Sequence, residues 1–296
     1  MANLKEVRVR LASVKTTQQI TKAMKLVAAS KLKRAQDRIL QMRPYSEKLN
    51  EILSNIMSNL EGGTSLSFNK KRPVKNVLIV LVTSDKGLCG GFNSNLIKTA
   101  RRLVNETYAN QRKAGGITLL CVGKKGYDFF KKEKDLNFIT DYTSLLGQLS
   151  FENSQKVSQL LMDGFAAEKY DVIELVYAKF VNAATQRFMV ERFLPVEPNK
   201  ETVKSKAKAD YIFEPEKEAL LEELVPKILN TQFFKALLDN NASEHGARMV
   251  AMDSATNNAQ ELMKQLGILY NRERQAAITK EILEIVGGAA ALEEKG

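Results

Sequence analysis

The stretch Leu220 to Leu292 limits what this chain can become more than any other. Apolar or small residues recur three or four apart at Met249, Met252, Ala255, Ala259, Leu262, Leu266 and Leu269, and again at Ile278, Ile282, Ile285, Ala289 and Leu292. Those steps put them all along one side of a helix. At ~1.5 Å of rise per residue the helix would run on the order of 110 Å, several times the width of a small domain. A chain of 296 residues cannot bury such an element by itself. It pairs with another long helix, is enclosed by a partner protein, or both.

The amino-terminal segment supplies a candidate for the pairing. Leu4, Val7, Leu11 and Val14 form a short stripe that resumes after a polar run at Ile20, Met24, Val27 and Ala28. It continues through Leu32, Ala35, Ile39, Met42, Tyr45, Leu49, Ile52 and Ile56. Steps of three and four kept up over that distance predict a coiled-coil seam rather than the broad face of a globular helix. Pro44 lacks an amide donor and should kink the helix without ending it. Glu61-Gly62-Gly63-Thr64 is the expected terminator. The same segment is strongly basic: residues 1 to 50 hold twelve Lys or Arg against Glu6, Asp37 and Glu47, a net of +9 out of +11 for the whole chain. Its partner is expected to be acidic, whether nucleic acid, anionic lipid or a protein surface.

Between the helical ends the pattern changes. Val77 to Val82 is an unbroken apolar run that suits a strand buried on both faces. Ile117 to Val122 reads as a second strand, Phe138 to Tyr142 as a third, and Val172 to Phe180 with Gln186 to Leu194 as a hairpin. Helical patterns follow the first loop to about Lys113, the second strand to Phe130, and cover Phe151 to Glu168. Alternation at this spacing predicts an open, Rossmann-like α/β sheet. The expected organisation is therefore an N-terminal coiled-coil helix at 1–60, an inserted α/β domain at 74–195, a linker and foot at 196–215, and a long C-terminal coiled-coil helix at 216–296. Because a sheet domain brings its ends together, the two helices should lie antiparallel, the longer overshooting the shorter.

Composition narrows the function. No window approaches the ~18 consecutive apolar residues of a membrane span, and the start reads as an untargeted cytosolic terminus. Cys89 and Cys121 are too few for a disulfide scaffold, and a single His245 leaves little room for His-based metal or acid-base chemistry. Gly87-Leu88-Cys89-Gly90-Gly91 occupies the place of a phosphate loop after the first strand. It fits neither G-x-G-x-x-G nor G-x-x-x-x-G-K-[ST], so a tight strand-to-helix turn is favoured over a nucleotide site. Cys89 could be a nucleophile only with a basic partner, and the sole histidine sits on a distant helix, so it reads as a small buried or interface residue.

Five blocks carry a family resemblance. Thr21 to Leu32 (TKAMKLVAASKL), Ser84 to Asn93 (SDKGLCGGFN), Ala242 to Met252 (ASEHGARMVAM), Tyr270 to Thr279 (YNRERQAAIT) and Glu284 to Ala289 (EIVGGA) resemble, in order, segments of the γ subunit of F-type ATP synthase. The resemblance implies a central rotor shaft with no catalysis, cofactor or metal of its own. Its implied partners are the α and β subunits around the paired helices, with the ε subunit and the c-subunit ring under the α/β domain. It also implies a peripheral position on the cytoplasmic face of a bacterial plasma membrane.

By position, the resemblance assigns Met24, Lys25, Lys86, Cys89, Arg248, Gln275 and Thr279 to contacts with the β subunit, and Tyr211 and Glu214 to a foot near the c ring and ε. Lys25 departs from the acidic residue some relatives carry there, and no cysteine pair is found around residues 196 to 210, which argues against thiol control. Two rival readings differ in kind. A nucleic-acid-binding helical protein accounts for the +9 segment but not for an alanine-rich C-terminal helix lacking aromatic stacking residues. A nucleotide-dependent enzyme accounts for the central sheet alone.

Overall fold

The computed structural model describes residues 4–58, 68, 72–196 and 217–293. Its elements are helix α1 (Leu4–Ser58), strand β1 (Val77–Val82), α2 (Phe92–Arg102), a π turn (Leu103–Thr107), α3 (Ala109–Lys113), β2 (Ile117–Val122), α4 (Lys124–Phe130), β3 (Asn137–Ile139), α5 (Phe151–Ala166), β4 (Val172–Phe180), β5 (Gln186–Leu194) and α6 (Lys217–Glu293). They divide into two compact units, Ala28–Arg248 and Met1–Val27 with Met249–Gly296.

The unit Ala28–Arg248 is built on a five-stranded sheet of order β3-β2-β1-β4-β5. The first four strands are parallel and β5 closes the edge antiparallel to β4. Every residue of β1 is at most 1% exposed, as expected of a strand covered on both faces. Side chains alternate between the two faces. Leu78, Val80 and Val82 join Leu120 and Val122 beneath Val157, Leu161 and Phe165 of α5 and Leu229, Phe233 and Leu237 of α6. Val77, Ile79 and Leu81 face Phe92, Leu96 and Ala100 of α2 with Phe130 of α4. Each such aliphatic side chain contributes about 1.5–3 kcal/mol by leaving water, so the sheet fastens this part of α6 firmly. The third strand is shorter than its apolar pattern suggested, ending at Ile139, because only Asn137 to Ile139 find partners on β2.

Pro44 lies inside α1 and Pro226 inside α6, and both helices continue through them. In the unit Met1–Val27 with Met249–Gly296 the two helix ends run antiparallel, with Lys25 against Asp253 at 2.5 Å and Thr21 Oγ1 accepting from Thr256 Oγ1 at 2.9 Å. Here the expected stripe needs correcting. Ile20 and Val27 are 54% and 58% exposed, while Thr21 is buried. The inward line of α1 keeps its spacing without a break through Leu4, Val7, Leu11, Val14, Gln18, Thr21, Lys25 and Ala28. Geometry, not hydrophobicity, selects these residues: Thr21 and Lys25 on the line are matched by Thr256 and Asp253 across it, while Ile20 and Val27 beside it face out. Likewise in the other unit Tyr45 is exposed and Ser46 is buried. The expected terminator at 61–64 and most of the 196–215 linker lie outside the described residues.

Candidate functional site

In an open α/β sheet the usual ligand crevice lies at the carboxyl ends of the strands where the strand order reverses, here between β1 and β4. Helix α6 fills it. Pairing of β1 with β4 ends at Leu81 opposite Val176, leaving the amide and carbonyl of Ala178 without a strand on the β1 side. Asn240 Oδ1 accepts from the Ala178 amide at 3.0 Å, and Ser243 Oγ donates to the Ala178 carbonyl at 3.0 Å, so two helix side chains replace the missing backbone. Asn240 and Ser243 are fully buried. Gly246 lets the helix lie against the β4–β5 turn, where a Cβ would stand 3.1 Å from the Ala183 carbonyl oxygen.

The loop after β1 is tied as tightly. Asn93 accepts from the Ser84 amide at 3.0 Å and donates to Ser84 Oγ at 2.7 Å and Cys89 Sγ at 3.2 Å. Ser84 Oγ donates to the Lys86 carbonyl at 2.7 Å. The loop doubles back through positive φ at Leu88 and Gly90. Its outward tip is Lys86 and Leu88, the latter 65% exposed, while Cys89 is 2% exposed beneath it. Arg248 clamps the loop from α6, donating through Nη2 to the carbonyls of Lys86 at 3.0 Å and Gly87 at 3.3 Å. Its Nη1 donates to Glu244 at 2.5 Å in a pair whose side chains are 12% and 9% exposed. Burial still pushes the Glu244 carboxyl above its usual range, with Arg248 opposing.

His245 sits beside this clamp, with Nδ1 at 3.4 Å from Arg248 Nη1. Burial first, then the charges of Arg248 and Lys31, hold its imidazole down at about 4. A depressed pKa means that folding favours the neutral ring. Its stability contribution is whole above the ordinary value near 6.5 and is lost as pH falls from there through 4. Relative to a His245→Gln variant, the native chain is expected to lose about 3 kcal/mol between pH 7 and pH 4. Parallel denaturation curves for the two chains across that range would contradict the assignment.

Of the remaining positions singled out in the sequence, Met24, Lys25, Gln275 and Thr279 lie in the unit formed by the helix ends. Met24 is half-buried, and the Lys25 ammonium and Asp253 carboxylate keep 39% and 47% of their side chains in solvent. Gln275 and Thr279 are exposed, Thr279 Oγ1 donating only to the Gln275 carbonyl one turn back. From Ile278 to Ala289 every residue is exposed, including Ile278 at 49%, Ile282 at 54%, Leu283 at 66%, Ile285 at 72% and Val286 at 59%. Tyr211 and Glu214 lie outside the described residues. The structure thus joins Lys86, Cys89 and Arg248 in one clamp. Two features escaped sequence reading: the Asn240 and Ser243 bridge, and the buried Glu174, which β4–β5 register sets opposite Arg192 at 3.1 Å and which accepts from Tyr108 Oη at 2.8 Å. The only signal for them was polar residues on apolar periodicities.

A sheet domain whose ligand crevice is closed by the C-terminal helix, and which sits in the chain between two very long helices, defines the class of a stalk or shaft subunit. The family model described as ATP synthase matches residues 3–292. The ATP synthase gamma chain of Cytophaga hutchinsonii is 52% identical over 294 residues, 99% of each chain, and that of Chloroherpeton thalassium is 46% identical over 303 residues, again 99% of each. Among solved structures, the central stalk and c-ring of Tetrahymena thermophila mitochondrial ATP synthase matches at 27% identity and a TM-score of 0.55, over 80% of this chain and 99% of that one. A chain of Euglena gracilis mitochondrial ATP synthase shares the fold at 22% identity and a TM-score of 0.65, over 98% and 94%. The chain belongs to the ATP synthase gamma chain family.

Proposed function

We propose that this chain is the rotating central shaft of an ATP synthase, coupling ion flow through a c-subunit ring to nucleotide chemistry on surrounding α and β subunits. The observation that carries the reading is the run of exposed aliphatic residues from Ile278 to Val286, which covers no part of its own chain among the described residues. An apolar row of this kind needs a protein sleeve. Two unlike helices have no threefold symmetry, so each β subunit in a ring of three meets a different face as the shaft turns. Contacts that differ with angle bias each nucleotide site differently, and linkage makes the coupling reciprocal.

The chain is a subunit that does no bond chemistry by itself; support comes from α6 occupying the crevice where a nucleotide would otherwise lie. Met24, Lys25, Arg248, Gln275 and Thr279 face or position contacts to β. Lys86 and Leu88 present the loop to acidic β surface, and Cys89 acts from below by holding the loop's shape. Tyr211 and Glu214 belong to a foot in the 196–215 linker, between the inserted domain at 74–195 and the helix at 216–296, which meets ε and the c ring. The complex is then peripheral on the cytoplasmic face of a bacterial plasma membrane. Among the described residues no helix is long and apolar enough to cross a membrane.

The test is reconstitution with α and β subunits. An Ile282→Asp/Ile285→Asp variant is expected to melt within about 0.5 kcal/mol of the native chain, since these side chains pack on nothing of its own. It should nonetheless assemble poorly or couple hydrolysis to ion pumping weakly. Gln275→Ala/Thr279→Ala should retain assembly better and lose coupling. Native pumping in both variants would reject the shaft contacts.

A further inference from the structure

Where α1, the end of β4 and α6 meet within the unit Ala28–Arg248, the structure holds a cavity of about 200 Å³ lined by Ile39, Met42, Arg43, Lys179, Phe180, Lys235, Leu238 and Asp239. At ~30 Å³ per water it has room for roughly six or seven, less than the ~300 Å³ at which organic-ligand sites begin. A nucleotide is therefore too large. Three cations from three different elements converge here, and among the described residues none of the three forms an ion pair or a side-chain hydrogen bond. Such convergence raises the local positive potential at the cavity. The one acid, Asp239, is 6% exposed.

We propose that this cavity binds a compact oxyanion, of the size and charge of phosphate or sulfate, and that binding is coupled to protonation of Asp239. The groups facing the Asp239 carboxyl are Lys235 on α6, Lys179 and the Phe180 backbone on β4, and Arg43 on α1. Despite three nearby cations and the Phe180 backbone hydrogen bond, burial outweighs all of them and lifts the carboxyl to about 6. An empty cavity near neutral pH therefore holds a carboxylate whose charge opposes an incoming anion. An arriving oxyanion repels that carboxylate further, so a proton joins it and the three cations are left to the ligand. Neutralised in this way, Asp239 has an O–H to donate to the anion.

Sulfate is the probe, because its charge is constant across the relevant range. Calorimetric titration of the full-length chain, at ionic strength matched with chloride, is expected to give one saturable site about tenfold tighter at pH 5.5 than at pH 7.5. At pH 6.5 the apparent enthalpy should vary with the buffer's ionisation enthalpy, reporting proton uptake. Asp239→Asn removes both the pH dependence and the buffer dependence while keeping the site. Arg43→Ala/Lys179→Ala, both exposed positions that leave the sheet core intact, weakens sulfate at least tenfold at either pH. Heat that is non-saturable, equal with chloride, or unchanged in Arg43→Ala/Lys179→Ala overturns the proposal. So does saturation only by an acidic peptide, which would make the cavity a protein contact. Loss of rotary coupling is not among the readouts, so failure here is separable from failure of the shaft reading.

Discussion

Replacing Arg248 by Ala is expected to destabilise the Ala28–Arg248 unit by about 3–5 kcal/mol at pH 8, the range for removing one partner of a buried pair. The side chain left behind is Glu244, 9% exposed and already pushed upward by burial. Two loop carbonyls, of Lys86 and Gly87, lose their donor in the same step. The sign with pH follows from Glu244. Without Arg248 its folded pKa rises further above the unfolded value, so the penalty is greatest above that folded pKa and shrinks as pH falls from there towards the unfolded value. Denaturant midpoints at pH 8 and pH 5 should converge between native and variant. Adding Glu244→Gln should recover part of the loss, since an amide in place of the carboxylate carries no charge to strand. A single-variant cost under about 1 kcal/mol at pH 8, or no convergence at low pH, would show that the pair is a surface-like contact. In the assembled complex the same change frees the Lys86–Leu88 tip, so coupling should fall even at temperatures where the chain stays folded.

Gly123→Ala should cost at least about 3 kcal/mol, and at 37 °C prevent folding. Gly123 has φ of +98°, and a Cβ there would lie 2.1 Å from the Thr83 carbonyl oxygen and 2.6 Å from its carbon. Neither atom is free to retreat. Thr83 donates its amide to the Val122 carbonyl at 2.7 Å, and its hydroxyl accepts from the Gly126 amide at 2.9 Å, so the ends of β1 and β2 are locked together where the clash falls. Gly115→Ala is the control for a positive φ, +70° there, with nothing within 4 Å; it should cost about 1 kcal/mol. Equal effects at the two positions would mean that backbone conformation alone, and not the close approach, demands glycine at 123.

Most of the architecture was legible from periodicity. Four of the five strands and both terminal helices follow directly from runs such as Val77 to Val82 and steps such as Met252, Ala259 and Leu266, because burial on one or two faces repeats at the period of the element. Less legible was anything requiring two distant segments at once. Ile20 and Val27 looked like seam residues, yet the line of contact runs through Thr21 and Lys25, whose partners Thr256 and Asp253 lie more than two hundred residues away. Leu103 to Thr107 read as continuous helix, but an inserted π turn brings Tyr108 round to the buried Glu174. Of the candidate site, Arg248 and the glycine loop were each visible as resembling segments; that the first clamps the second was not.

By itself the sequence determined that this chain carries two helices too long to be covered from within, a parallel sheet between them, and a basic segment over its first 50 residues. Local propensity and hydrophobic period are properties of consecutive residues, and consecutive residues suffice for those conclusions. Only the tertiary structure decided that the crevice at the strand-order reversal is closed by Asn240, Ser243 and Gly246, that Arg248 holds the loop above it, and that Arg43, Lys179 and Lys235 converge on Asp239. Each of those depends on where the sheet sets a helix against a strand end, a distance that no spacing along the chain encodes.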